Sequence, residues 1–310
     1  MSDLEETHYP LILYHYCPTD AFHSIVTSRS IWLSDVSLAS DFLEGKWIHE
    51  VISEMCDEYE RTQDEKEYLI GQLDGLLKIG GALVLCLSEK GDLLSQWRGY
   101  ADDGRGVSIG FNKEYLERLG NIRLNRSNEN KDGTNSFNVR KILYDKSDQK
   151  LLLKDPFERI IKLFDDGALR KSKRFPTLLT PDDDGKIEKE RKQAITQLGT
   201  SALYFMLYLY DIKNPSFSEE LEWRLQSLMP RPHSDEYYSQ SDVFRGVDFR
   251  PRNEKLVPYI NVALEEVGIS PVLQVVLGPK NITPTGYVIG FLRENGFKDV
   301  IVTRSSASYR

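Results

Sequence analysis

The sequence predicts an α+β (mixed α/β) fold, with a central, mostly antiparallel or mixed sheet flanked by helices. Three observations carry that expectation. Short apolar runs bounded by turn residues recur along the chain, as in Leu83–Leu87 and Val272–Leu277. Between them lie stretches with apolar residues at helical spacing, such as Ala21, Phe22, Ile25 and Val26. The two patterns alternate unevenly, which does not suit a doubly wound parallel sheet. The chain has 310 residues, 40% hydrophobic and 28% charged, enough to bury a sizeable core. With no repeat or pronounced linker, residues 1–310 read as a single elaborated domain. Polar loops are expected near 121–139, 173–185 and 230–256.

Taken in order, Leu11–Tyr16 is an apolar strand, and Pro18-Thr19-Asp20 turns it into a short helix. Ile31-Trp32-Leu33 is a second strand. Ser40 and Asp41 cap a longer helix that reaches Met55, with Glu44 in its first turn, where the helix dipole favours a carboxylate. Residues 57–80 continue as helix to Gly80-Gly81. Leu83–Phe111 then forms a strand, a short helix bearing Trp97, Arg98 and Tyr100, a turn, and a strand alternating through Val107, Ile109 and Phe111. Helices are expected at Asn112–Leu119, from Asp155 into the mid-160s, at Ile187–Tyr210 and at Thr285–Asn295. Strands are expected at Lys141–Tyr144, from Glu219 to Met229, and at Pro258–Val262, Val272–Leu277 and Asp299–Thr303. The apolar half of the third of these helices, Ala202–Leu209, is too short to cross a bilayer and reads as core.

The net charge of −8 disfavours broad electrostatic binding to nucleic acid, though not a local pocket for one nucleotide. Cys17, Cys56 and Cys86 lack zinc or disulfide spacing, which suits a reducing compartment. No secretory leader or spanning segment is evident, so a cytoplasmic protein without membrane attachment is expected. The sequence indicates no metal.

Four clusters carry chemistry-bearing side chains. The first is Tyr14-His15-Tyr16 with Ser34, at the ends of two early strands. A lone His in an aromatic strand is more often a core histidine bonded to backbone than a ligand or base, and His15 carries both readings. The second is Trp97, Arg98, Tyr100 and Arg105, combining rings that stack with guanidinium groups that clamp phosphate. The third is Glu220-x-Glu222-Trp223-Arg224, where i and i+2 positions of a strand share one face. Here the bland reading is a solvated acidic strand start. The fourth is Arg304-Ser305-Ser306, donors at a strand end suited to an anion. Phosphate-loop, dinucleotide, HExxH and GxSxG motifs are absent from the sequence.

The segments LYHYCPTDAFHSIVTSRSIWLSD, SDFLEGKW, VLCLSEKGDLLSQWRGYADDGRGVSIGF, EELEWRL and the end from VVLGP to TRSSASYR resemble the bacterial family known as domain of unknown function 2971. Within SDFLE, Ser40 stands where the family tends to have Asn, while Asp41 and Glu44 match. A second resemblance concerns function. An early LYHY strand, a strand ending in Ser34 and a late Glu-x-Glu strand are similar to ADP-ribosyltransferase folds. That resemblance implies NAD as co-substrate, with His15 on its ribose side and Ser34 among the cofactor-binding candidates. It makes Glu222 the catalytic carboxylate and Glu220 its partner. Trp97 or Tyr100 would stack, whereas a pocket of Trp97, Arg98, Arg105 and Arg224, with the carboxylates only positioning the arginines, belongs to the non-catalytic nucleotide-binding alternative. The implied activity is an ADP-ribosyltransferase or NAD glycohydrolase of the toxin or phage-defence type, acting on a protein or nucleic-acid acceptor. The alternative is a non-catalytic nucleotide-sensing or partner-binding module of a defence system.

Overall fold

The structure, a computed structural model, describes residues 11–38, 44–130, 136–174, 185–230, 247–252 and 254–309. Its strands are β1 (Ile12–Cys17), β2 (Ser30–Asp35), β3 (Gly80–Ser88), β4 (Val107–Asn112), β5 (Asn138–Lys141), β6 (Glu222–Pro230), β7 (Asp248–Arg252), β8 (Lys255–Ala263), β9 (Val272–Leu277) and β10 (Ile301–Arg304). Its α-helices are α1 (Thr19–Ser28), α2 (Ile48–Glu58), α3 (Gln63–Ile79), α4 (Leu94–Tyr100), α5 (Lys113–Asn130), α6 (Lys146–Asp165), α7 (Ala168–Ser172), α8 (Lys186–Ala202) and α9 (Thr285–Glu294). One mixed sheet runs β10-β9-β4-β1-β3-β2-β8-β7, with β6 also paired to β3, and β5 to β6. Pairings between these strands are antiparallel except β9 with β10, which run parallel.

Side chains alternate across each strand, and this divides the interior in two. Leu83, Leu85, Leu87 and Leu225 point to one face, where they pack with α1, α5 and α9 through Phe22, Leu116 and Leu292. Ala82 and Val84 point to the other face and meet α2, α3, α6 and α8 through Ile52, Leu73, Phe157 and Leu198. Each fully buried aliphatic or aromatic side chain in these layers contributes about 1.5–3 kcal/mol relative to exposure. The register puts Tyr14 opposite Ser88 and Tyr16 opposite Ser108, so both tyrosines share the second face. There α4 covers the other end of the sheet, setting Trp97 and Ala101 against Tyr16 and Val276. Gly106 sits in the turn after α4 because a Cβ there would lie 2.2 Å from the Cys17 carbonyl oxygen.

The sheet forks at β3. β1 meets one end of a β3 edge at Tyr14–Ser88, and β2 meets that strand further along at Ser34–Val84 and Asp35–Leu83. The other edge of β3 is paired with β6 along its whole length. Cys86 lies at the fork and is exposed, although it belongs to a central strand.

Several elements depart from expectation. α2 begins at Ile48, not Ser40; Ser40 and Asp41 lie outside the described residues, and Glu44 stands in a turn. α5 runs on to Asn130 through the stretch read as a loop from Asn121, with Arg123 reaching Glu265 at 3.5 Å. α6 starts nine residues before Asp155, because the Asp145 side chain accepts the amides of Ser147 and Asp148. Pro156 therefore sits inside that helix. α8 ends at Ala202 and tightens into a 3₁₀ turn, Leu203–Leu207, that buries Phe205. β5 lies three residues before the expected start, and β7 falls within the expected 230–256 loop. Residues 175–184 and 231–246 of the expected loops lie outside the described residues.

Candidate functional site

β6 places Glu222 and Arg224 on the face that carries Cys86, since Cys86 pairs with Arg224 and Ser88 with Glu222. Glu220 arrives differently. It ends the 3₁₀ turn Pro215–Glu220, and Leu221 takes a left-handed conformation (φ 44°) before β6 begins at Glu222. The expected i, i+2 strand pair is therefore absent. The two carboxylates nevertheless meet at Lys213, whose Nζ donates to Glu220 Oε2 at 2.7 Å and to Glu222 Oε2 at 3.1 Å.

Arg224 is 1% exposed and uses its whole donor set within the protein. Nε and Nη2 donate to Glu222 at 2.7 and 3.0 Å, Nη1 and Nη2 to Glu44 at 2.6 and 3.0 Å, and Nη1 also to the Tyr210 carbonyl at 3.1 Å. The expectation that Arg224 binds a cofactor is corrected here: its five bonds leave none for a phosphate. Glu44, expected at a helix start, is instead the second anion on this guanidinium.

The network climbs from buried to accessible. Arg224, Glu222 and Glu220 are 1%, 5% and 9% exposed, whereas Tyr100 is 40% exposed, and its hydroxyl donates to Glu220 Oε1 at 3.4 Å. The two glutamates are pushed apart in acidity. Burial works to raise the Glu222 pKa, but Arg224 and Lys213 outweigh it and bring it to about 2. For Glu220 burial prevails over Lys213 and the pKa is raised. Glu222 is thus held as an anion, whereas burial disfavours the charged form of Glu220.

At the fork, the His15 ring nitrogen Nδ1 lies 2.9 Å from the Cys86 carbonyl oxygen, which only an N–H can satisfy. Nδ1 therefore carries the proton, and Nε2 of the neutral ring is an acceptor. Burial lowers the His15 pKa, and the charge of Arg250 works the same way. Crowding around Cys86 and the neighbouring Glu222 carboxylate raise its thiol pKa well above the ordinary value. Cys86 so links the histidine, through its carbonyl, to the glutamate, through its thiol. Ser34 lies on the β2 side of the fork and accepts a hydrogen bond from Arg250 Nη2 at 3.0 Å.

Three other expected cofactor residues lie elsewhere. Trp97 is fully buried, edge-on to Tyr16 at 4.8 Å, with its indole N–H given to Asp92 at 2.7 Å, so it has no face for a ligand. Arg98 stands over the Tyr309 ring at 5.8 Å, and Arg105 lies 3.8 Å from Asp103. Both belong to a surface cluster in which Tyr309 and Lys280 bond Asp103. The donors of Ser305 and Ser306 do meet an anion, but it is the Asp92 carboxylate of the same chain. Arg304 donates to the carbonyls of Asn281 and Thr283.

Sequence reasoning missed Lys213, Asp92 and Arg250. Lys213 follows Asp211 and Ile212 just past the apolar run Ala202–Tyr210, and two charges set against buried hydrophobic residues were the available signal.

Residues 96–225 match the family model described as Protein of unknown function (DUF2971), and the resemblance to that family holds over this stretch. The stretch contains Tyr100, Lys213, Glu220, Glu222 and Arg224. No curated protein and no solved structure matches the chain. Among the described residues no helix is long and apolar enough to cross a membrane.

Proposed function

We propose that this protein consumes NAD by breaking the nicotinamide–ribose bond, as an ADP-ribosyltransferase or NAD glycohydrolase. The supporting observation is the pair Glu220 and Glu222, bridged by one lysine yet pushed to opposite acidities beside an accessible tyrosine. Environments that separate two carboxyl groups in this way assign them different tasks. Three carboxylates (Glu44, Glu220, Glu222) face two cations (Lys213, Arg224), and the neutral His15 adds no positive charge. The excess negative charge favours the oxocarbenium character that develops at ribose C1′ as the C–N bond breaks and its electron pair leaves with neutral nicotinamide. The acceptor oxygen or nitrogen then bonds C1′ and gives its proton to Glu220. Tyr100 packs on nicotinamide, and His15 Nε2 accepts a ribose hydroxyl. Glu222 holds Lys213 and Arg224 in place instead of touching substrate.

The test is nicotinamide release from NAD, with water or with protein and nucleic-acid acceptors. Glu220→Gln is expected to lower turnover about 100-fold or more while leaving the fold intact. Full turnover in that variant, or no NAD consumption by the wild type with any acceptor class, would overturn the proposal.

One observation favours a second reading. The guanidinium of Arg224 is satisfied inside the protein, which suits a non-catalytic nucleotide-binding module whose ion network only holds the fold. Nucleotide binding without turnover, unaltered in Glu220→Gln, distinguishes this reading.

A further inference from the structure

The chain has four tryptophans, and three of them are anchored through the indole N–H: Trp47 to Gln149 at 3.0 Å, Trp97 to Asp92 at 2.7 Å and Trp223 to Glu89 at 2.8 Å. Trp32 is different. It is 36% exposed in the middle of β2, and its N–H has no acceptor among the described residues. Its ring lies against Tyr259 of β8, with centroids 4.5 Å apart, and the Arg250 guanidinium stands 5.3 Å from the Trp32 centroid. That same Arg250 bonds Ser34 at the fork. Trp32 and Ser34 are two apart on one strand and so share a face, and Ser34 pairs with Val84 on the face of Cys86 and Glu222. An aromatic pair, a cation and an unpartnered donor thus adjoin the carboxylate site on the same side of the sheet.

Such a surface combines apolar ring area with two kinds of donor, beside the Asp248 carboxylate opposite Tyr259. It offers flat apolar area, an indole donor and positive charge, and its complement is a planar, acceptor-rich ring that carries an anion. We infer that Trp32, Tyr259 and Arg250 form a subsite for the base and phosphate of a purine mononucleotide, the adenylate half of the dinucleotide substrate. As part of a NAD site this rests on the proposed function, but the mononucleotide subsite itself is separable from it. The reacting bond then lies toward Tyr100 and Glu220, across the fork.

The experiment titrates the full chain with AMP, adenosine and nicotinamide mononucleotide, reading affinity by calorimetry and Trp32 by fluorescence. AMP is expected to bind and to change the tryptophan emission, and nicotinamide mononucleotide to leave Trp32 unperturbed. Trp32→Ala should weaken AMP about tenfold, the scale of one base stacked on one aromatic ring. Trp32→Phe keeps a ring and should stay within about threefold of wild type. Arg250→Gln should weaken AMP but leave adenosine unchanged, since adenosine carries no phosphate. Wild type that fails to bind AMP, or unchanged AMP affinity in a natively folded Trp32→Ala, overturns the subsite. Should Trp32→Ala not fold, Tyr259→Leu replaces it, and unchanged AMP affinity there is equally fatal. AMP binding that needs Trp32 without any NAD turnover would sink the proposed reaction and keep the subsite. NAD turnover with a KM indifferent to Trp32 and Tyr259 would do the reverse.

Discussion

Arg224 shows at the scale of one residue how a motif side chain is diverted from function to structure. Its two carboxylate partners are themselves buried, so removing the guanidinium leaves two charges without compensation. Arg224→Leu should lower unfolding stability by about 3–5 kcal/mol, measured by urea denaturation. Lys173→Ala, which breaks an exposed pair with Asp64, should stay within about 1 kcal/mol. The pH dependence has a definite sign. Glu222 titrates at about 2 in the folded protein against an ordinary 4.5, so its stabilisation is full above pH 4.5 and fades as pH falls toward 2. Glu220 behaves oppositely: its raised pKa gives stability at low pH that is lost as pH rises through the raised value. Urea midpoints followed against pH should therefore lose their acid limb in Glu222→Gln. An unchanged acid limb would mean that another carboxylate sets it.

Among the elements, α4 is the one whose position matters most to the site, because it carries Tyr100. Seven residues make a helix too short to stand alone, so its placement comes from packing and from Asp92. That single carboxylate accepts from Trp97 Nε1, Ser305 Oγ, Ser306 N and Ser306 Oγ, tying α4 to the segment that follows β10. These bonds hold its pKa below the ordinary value against the effect of burial. Asp92→Ala strands the buried indole N–H and should cost about 1–3 kcal/mol. Hydrogen exchange should quicken together in residues 94–100 and 305–309 and leave α2 and α3 as they were. Exchange confined to one of the two segments would show that they are not coupled.

In the whole molecule, the fork in the sheet brings distant segments together. β1 and β2 share one edge of β3 without filling it, and β6 closes the opposite edge. Cys86, Ser34 and Glu222 thereby share one face, and His15 reaches them through the Cys86 backbone carbonyl, although more than 200 residues separate His15 from Glu222. A ligand that bound across the fork would contact only the native state. ADP-ribose at 100 times its dissociation constant should stabilise the protein by about 2.7 kcal/mol, seen as a rise in melting temperature. No shift at any concentration would remove nucleotides from consideration at this site.

What the sequence determined by itself was local. Alternation at Val107, Ile109 and Phe111 and the apolar run at Leu83–Leu87 specify strands, because burial on one face or both leaves a period that is legible without neighbours. Glu220, Glu222, His15 and Tyr100 were legible as reactive side chains by type. Their partnerships were not. Whether Arg224 meets a ligand or Glu44, 180 residues away, depends on strand pairing and on a turn conformation at Leu221 that no residue type announces. The start of α6 was likewise decided by one capping aspartate, and the continuation of α5 past Asn121 carries the Arg123–Glu265 contact, neither of which periodicity announces. Tertiary structure alone chose which carboxylate has its pKa lowered and which has it raised, since burial, Arg224 and the placement of Lys213 decide the direction.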